Sequence, residues 1–123
     1  MVTFFAIVAG LIHLYIFFLE SIAWGKPNVN RVFGMSPEVA EQNRALAFNQ
    51  GFYNLFLAIA IVVGLLIGLD TSVGRTLIVY SLTSMLLAAL VLIFSNKKLL
   101  RPALIQGVSP FLGLIFLAVS YSK

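Results

Sequence analysis

The chain has 123 residues, 61% of them hydrophobic and only 10% charged, with a mean hydropathy of +1.05. Soluble domains are about 45–50% apolar and about 25% charged, and so short a chain cannot hide this much apolar surface from water, so a soluble globule is excluded and the remaining solvent is lipid. Absence of cysteine removes disulfides, thiolate metal sites and thiol catalysis, and the net charge of +4 has to be placed on a membrane protein.

Four apolar stretches come close to or exceed the roughly 20 residues that a helix needs to cross a bilayer: residues 2–23, 46–69, 76–94 and 102–121. In hydrocarbon the backbone must satisfy its own hydrogen bonds, and the alternation of barrel strands is missing. The expected fold class is therefore all-α, a polytopic four-transmembrane-helix bundle, in a single domain over residues 1–123. The first stretch has no Lys or Arg before it and is too long for the apolar core of a signal peptide. It reads as a retained span, although Ser21-Ile22-Ala23 resembles a small-x-small cleavage site. It carries His13 and Glu20, seven residues apart and so on one helical face, about 10 Å from each other along the axis. Ala6, Ala9 and Gly10 continue that face and suit close helix packing.

The segment 24–45 is the one sizeable polar connection. Trp24 suits a membrane-interface aromatic, and Pro27, Asn28, Asn30 and Gly34 favour turns. Ser36-Pro37-Glu38 supplies an N-cap, a first-turn proline and an acid at the positive end of a helix. The second helix is thus expected to start at Pro37, ahead of the membrane. Its apolar part is entered through NRALAFNQGFYNLFLA, residues 43–58. At about 100° per residue, Asn43, Ala47, Gln50 and Asn54 share a stripe, with Asn49 and Tyr53 on a neighbouring one. Ala60, Gly64 and Gly68 form a small-residue stripe farther along, as do Ser81, Ser84 and Ala88 in the third span. The fourth span contributes Gln106 and Pro110 near its start.

Lys26, Arg31, Arg44, Lys97, Lys98 and Arg101 lie between spans one and two or three and four, against Arg75 and Lys123 on the other side. That asymmetry places loops 24–45 and 95–101 in the cytoplasm and both termini outside, in a multi-pass protein of the cell membrane. The positive charge is then membrane topology, and nucleic acid is not a partner.

Single Asn or Gln side chains in membrane helices commonly join helices together, whereas ionisable residues inside the membrane mark function. His13, Glu20, Asn49, Gln50, Tyr53, Asn54 and Gln106 are the candidates for ligand binding or proton relay, and Arg44 is the candidate anion anchor. Spans one, two and four are expected to meet around Glu20, Gln50 and Asn54 in a polar pocket open to the cytoplasm. A single histidine rules out a His-rich metal site, and no phosphate loop or nucleophile elbow is present. No metal, cofactor or catalytic residue is assigned. The leading expectation is a membrane protein that binds a small lipophilic molecule or lipid. Alternatives are a proton-coupled transporter built as a homo-oligomer, with Glu20 as the coupling acid, a membrane enzyme acting on a lipophilic substrate, and a partner subunit without ligand.

HLYIFFLE in the first span, the tryptophan that follows it, RVFGM, and above all NQGFYNLFLA resemble a family of bacterial integral membrane proteins known as domain of unknown function 1304. The resemblance covers essentially the whole chain, and His13, Glu20, Trp24, Phe33, Gly34, Asn49, Gln50, Gly51, Tyr53 and Asn54 match its pattern. It implies four spans and no assigned activity. A looser likeness in layout is to the four-span membrane enzymes of eicosanoid and glutathione metabolism, whose second helix carries R-x-x-x-N-x-x-E. Here Phe48 stands at that spacing from Arg44, Asn49 comes one position late, and the final Glu is missing, so the likeness does not extend to glutathione binding.

Overall fold

The computed structural model describes residues 1–122; Lys123, counted above on the outer side, lies outside them. Helix α1, Val2–Phe17, runs on into one π-helical turn, Phe18–Ile22, closed by the Ala23 N–H donating to the Phe18 carbonyl at 2.8 Å. Two short helices follow, α2 at Pro27–Phe33 and α3 at Pro37–Gln42. Then come α4, Arg44–Ile67, α5, Ser72–Ser95, a 3-10 turn at Lys97–Leu99, and α6, Leu100–Tyr121. Among the described residues there is no strand. Four helices are long and apolar enough to cross a membrane: α1 with its π turn, α4, α5, and α6 with its preceding turn.

The polar connection departs from expectation in two places. Pro27 does not open a turn but stands at the first position of α2, where its fixed φ suits a helix and its missing N–H is not needed. Gly34 ends that helix in the left-handed region at φ +64°, the usual glycine C-terminus. Ser36 caps Pro37 as the sequence requires, accepting from the Val39 N–H at 3.3 Å. Yet the helix begun there does not run into the second span. It stops at Asn43, whose φ of −103° and ψ of 7° break the helix and whose Nδ2 donates back to the Val39 carbonyl at 2.8 Å. An Asn side chain that competes for backbone carbonyls in this way interrupts a helix instead of continuing it.

The long helices form a ring in which α1 and α5 each pack against both α4 and α6. Gly10 faces Ile61 across α1 and α4, Gly64 faces Ile78 across α4 and α5, and Gly113 faces Leu82 across α5 and α6. Phe5 and Phe116 stack with ring centres 5.5 Å apart, joining α1 to α6. Neighbours are thus antiparallel throughout. The centre is filled by Ala6, Ala9, Ile61, Ile78, Leu82 and Met85. Small residues let backbones approach in lipid, where no water drives the helices together. Of the two small-residue stripes, Gly64 and Ser81 are buried, while Ala88 is exposed and Gly68 ends α4 at φ +107°.

The end of the bundle carrying the α4–α5 turn is sewn shut. Thr71 caps α5 by accepting from the Gly74 N–H at 3.0 Å. The Tyr121 hydroxyl donates to the Leu69 carbonyl at 2.8 Å, and the Arg75 guanidinium lies 4.4 Å from the Tyr121 ring centre. Arg75 also donates to the Leu69 and Asp70 carbonyls, each at 3.3 Å. A Cβ at Gly64 would lie 2.9 Å from Ile78 Cδ1 and 3.1 Å from the Gly74 carbonyl oxygen. Gly64→Val is therefore expected to destabilise the bundle by about 1–3 kcal/mol when unfolding is followed in mixed detergent and dodecyl sulfate. An unchanged midpoint would mean that α4 and α5 do not approach this closely.

Candidate functional site

The site is built on the π turn. One extra residue per turn is an unusual helical conformation that tends to sit at functional positions, and here it carries Glu20 and Ser21 toward α4. Asn54 donates to the Glu20 carboxylate, Nδ2 to Oε1, at 2.7 Å, with both residues half-buried. One turn away, the Ser21 hydroxyl donates to the Phe48 carbonyl at 2.8 Å. Between these bonds lies Gly51, which is buried; a Cβ there would meet Ser21 Cβ at 3.1 Å and Glu20 Cβ at 3.2 Å and would overlap the Ser21 hydroxyl. The glycine of NQGFYN is what lets the seam close.

The polar connection folds over this seam. Leu19, Ala23 and Val29 form a second apolar cluster, backed by Trp24 and Phe33, whose rings lie 5.3 Å apart. The Trp24 indole donates to the Ala40 carbonyl at 2.6 Å, tying the end of α1 to α3. Trp24 is thus a clasp inside the protein and not simply a lipid-interface side chain. Arg44 donates from Nη1 to the Trp24 carbonyl at 3.1 Å and from Nε to Glu41 Oε2 at 2.9 Å. These elements surround an open cleft of about 570 Å³ with Glu20, Ser21, Trp24, Glu41, Arg44 and Phe48 in its wall, within the size range of small-molecule sites.

Of the residues chosen from the sequence, the structure brings together Glu20 and Asn54, with Arg44 at the rim. The rest are dispersed. His13 is buried, only 1% exposed, with Nδ1 bonded to the Ala9 carbonyl at 2.9 Å, and it does not line the cleft. Asn49, Gln50 and Tyr53 are exposed on the outside of α4. Gln50 meets Asn54 only through its backbone carbonyl, at 3.3 Å. Of the expected stripe Asn43, Ala47, Gln50 and Asn54, Ala47 is buried and Asn54 half-buried, while Gln50 is exposed; the buried line of α4 is Ala47, Gly51, Ala58, Ile61 and Gly64. Gln106 lies on the other side of α1, in a separate groove. The Arg44 guanidinium is bonded to Glu41 through Nε and to the Trp24 carbonyl through Nη1. Ser21, Glu41, Phe48 and Gly51 were not selected from the sequence as site residues. The small-residue line through Ala47 and Gly51 was the signal that could have found the seam.

Residues 7–118 match the family described as "Protein of unknown function (DUF1304)". The chain belongs to that family. No curated protein and no solved structure matches it, so the chemistry of the site rests on its own geometry. Within that geometry the Glu20 carboxyl group lines an open cleft beside aromatic walls, held by the Asn54 amide. Among the described residues no three His, Asp or Glu side chains group together; of the two acids in the cleft wall, Glu41 is paired with Arg44, and Glu20 is the one outside an ion pair, able to hold a cation or exchange a proton.

The Glu20–Asn54 bond can be weighed directly. In a double-mutant cycle with Glu20→Ala and Asn54→Ala, we expect a coupling of about 0.6–2 kcal/mol, the range for polar pairs between membrane helices. Strictly additive single effects would mean that the two side chains do not meet.

Proposed function

We propose that the protein is a small multi-pass membrane protein whose cytoplasm-facing cleft binds a small lipophilic cation through Glu20. The observation that carries this reading is the charge balance of the cleft. Glu41 and Arg44 are paired with each other at 2.9 Å, so Glu20 is the group left to meet a charged ligand. Trp24 and Phe48 in the wall offer aromatic surface, which favours cations over its faces.

Binding is favoured over transport by the packing beyond the cleft. Ala6, Ala9, Ile61, Ile78, Leu82 and Met85 fill the centre at 1% exposure or less, and a pathway through one chain has no space there. A proton-coupled transporter would need a second copy to complete the route. In this orientation Asn49, Gln50 and Tyr53, near the start of α4, stand at headgroup depth, where water and lipid headgroups satisfy them.

Tetraphenylphosphonium is a suitable probe. At 100 times its dissociation constant it should stabilise the detergent-purified protein by about 2.7 kcal/mol, read as a rise in melting temperature, and Glu20→Gln should abolish the rise. The reading fails if wild type shows no shift, or if the variant shows the same one.

Orientation has its own test, aided by the absence of cysteine. In intact cells a membrane-impermeant maleimide is expected to label Ser72→Cys and to spare Asn28→Cys until the membrane is permeabilised. The reverse pattern would put the cleft outside.

A further inference from the structure

We propose a second site: a groove between α1 and α6 that takes an anionic phospholipid, its phosphate between Arg31 and Arg101 and an acyl chain along Ile12, Ile16 and Ile105. The groove has a volume of about 490 Å³ and shares no residue with the Glu20 cleft. It lies on the opposite side of α1, with α2 over its mouth and Leu92 of α5 behind it.

Charge complementarity selects the occupant. The chain has only four acidic residues, Glu20, Glu38, Glu41 and Asp70, and none of them lines this groove. Among the described residues the one ion pair is Arg44 with Glu41, so Arg31 and Arg101 bring two positive charges to the groove without a carboxylate to meet them. Arg guanidinium groups match phosphate oxygens in fork geometry. Basic pockets between membrane helices near the cytoplasmic surface are places where anionic headgroups settle.

The order of residues along the groove selects a lipid over a free anion. Arg101 stands in the first turn of α6 and Arg31 in α2, both at the mouth. Gln106 lies five residues along α6, about 7.5 Å farther in at helical rise, and its amide can donate to an ester or phosphate oxygen. On α1, Leu19 is near the mouth and Ile12 is about 10 Å deeper. Charge therefore gives way to hydrocarbon along one continuous surface, which matches an amphiphile. Tyr15 and Ile105 in its wall are 58% and 55% exposed, so the groove opens sideways, the direction from which a bilayer lipid arrives.

The full-length protein, stripped of lipid in detergent, would be titrated with phosphatidylglycerol and phosphatidylcholine of identical acyl chains, and bound lipid counted by native mass spectrometry. One phosphatidylglycerol is expected to bind about thirtyfold more tightly than phosphatidylcholine, in keeping with two basic residues near a headgroup. Arg31→Gln with Arg101→Gln should level the two lipids, and Glu20→Gln should leave the preference intact. Equal binding of both lipids by wild type would overturn the proposal, as would a preference that survives in the double variant. Inorganic phosphate and glycerol 3-phosphate are expected not to compete. Displacement of the lipid by either would make this a free-phosphate site and overturn the lipid assignment. If the double variant does not fold, the wild-type comparison of the two lipids and the competition still decide.

Discussion

The structure hangs on one close approach, where α1 crosses α4 at Gly51. The Ser21 hydroxyl occupies the volume that a side chain at Gly51 would take, and from there it reaches the Phe48 carbonyl. Phe48 keeps its place in α4 and accepts the extra donor on the second lone pair of its carbonyl. The approach sets the register of the two helices, and the neighbouring residue, Glu20, is thereby delivered to Asn54 on the next turn of α4. Any larger residue at Gly51 would separate the helices and with them the acid from its amide. The π turn belongs to the same constraint. Its i to i−5 bond, from Ala23 to Phe18, widens the helix where Glu20 and Ser21 must both face α4 while Leu19 joins the apolar cluster beneath α2.

From this seam the cap over that end of the bundle follows. Trp24 is the residue through which α1, α3 and α4 meet, because its indole N–H serves Ala40 and its carbonyl receives Arg44. Gly25 follows it at φ +91°, and a side chain there would lie 2.5 Å from the Arg44 guanidinium. A chain set in hydrocarbon has few ways to hold a polar segment against a bundle. This one uses backbone carbonyls as acceptors and a small apolar cluster of Leu19, Ala23 and Val29 as the floor. α1 then becomes a partition. Toward α4 it offers a carboxyl group, and toward α6 an apolar wall leading to two arginines.

The four helices were legible in the sequence because length and hydropathy are read one segment at a time. Which side of each helix faces inward was not, and the reason is physical. In water an apolar face means burial, but in lipid both faces are apolar, and Leu66 and Phe94 are among the most exposed side chains in the molecule. Inside and outside differ instead by size: the buried positions of α1 and α4 are largely Ala and Gly. Reading polarity as the inward mark succeeded for Asn54, which reaches Glu20, and misled for Asn49, Gln50 and Tyr53, which are exposed on the outside of α4. The split of one expected helix at Asn43 was equally hidden, since Ser36-Pro37-Glu38 announces a start and says nothing of where that helix stops. Glu20 and Asn54 could be named, but their meeting depended on the π turn, which no residue pattern signals.

The two ends of the bundle differ in a way that bears on function. At the α4–α5 end, Arg75 satisfies two carbonyls and covers Tyr121, whose hydroxyl closes onto Leu69. Cation, ring and carbonyls there are used on one another. At the opposite end the same residue types are left partly unspent: a carboxyl group beside an open cleft, and two guanidinium groups over an apolar groove. The centre of the bundle is tightly packed, with Ile78, Leu82 and Met85 fully buried. A conduit needs groups arranged along a path from end to end. On the two proposals made for its recesses, a molecule furnished at this end would hold its ligands at a single surface of the membrane, and the opposite charges of the two recesses suit two unlike ones.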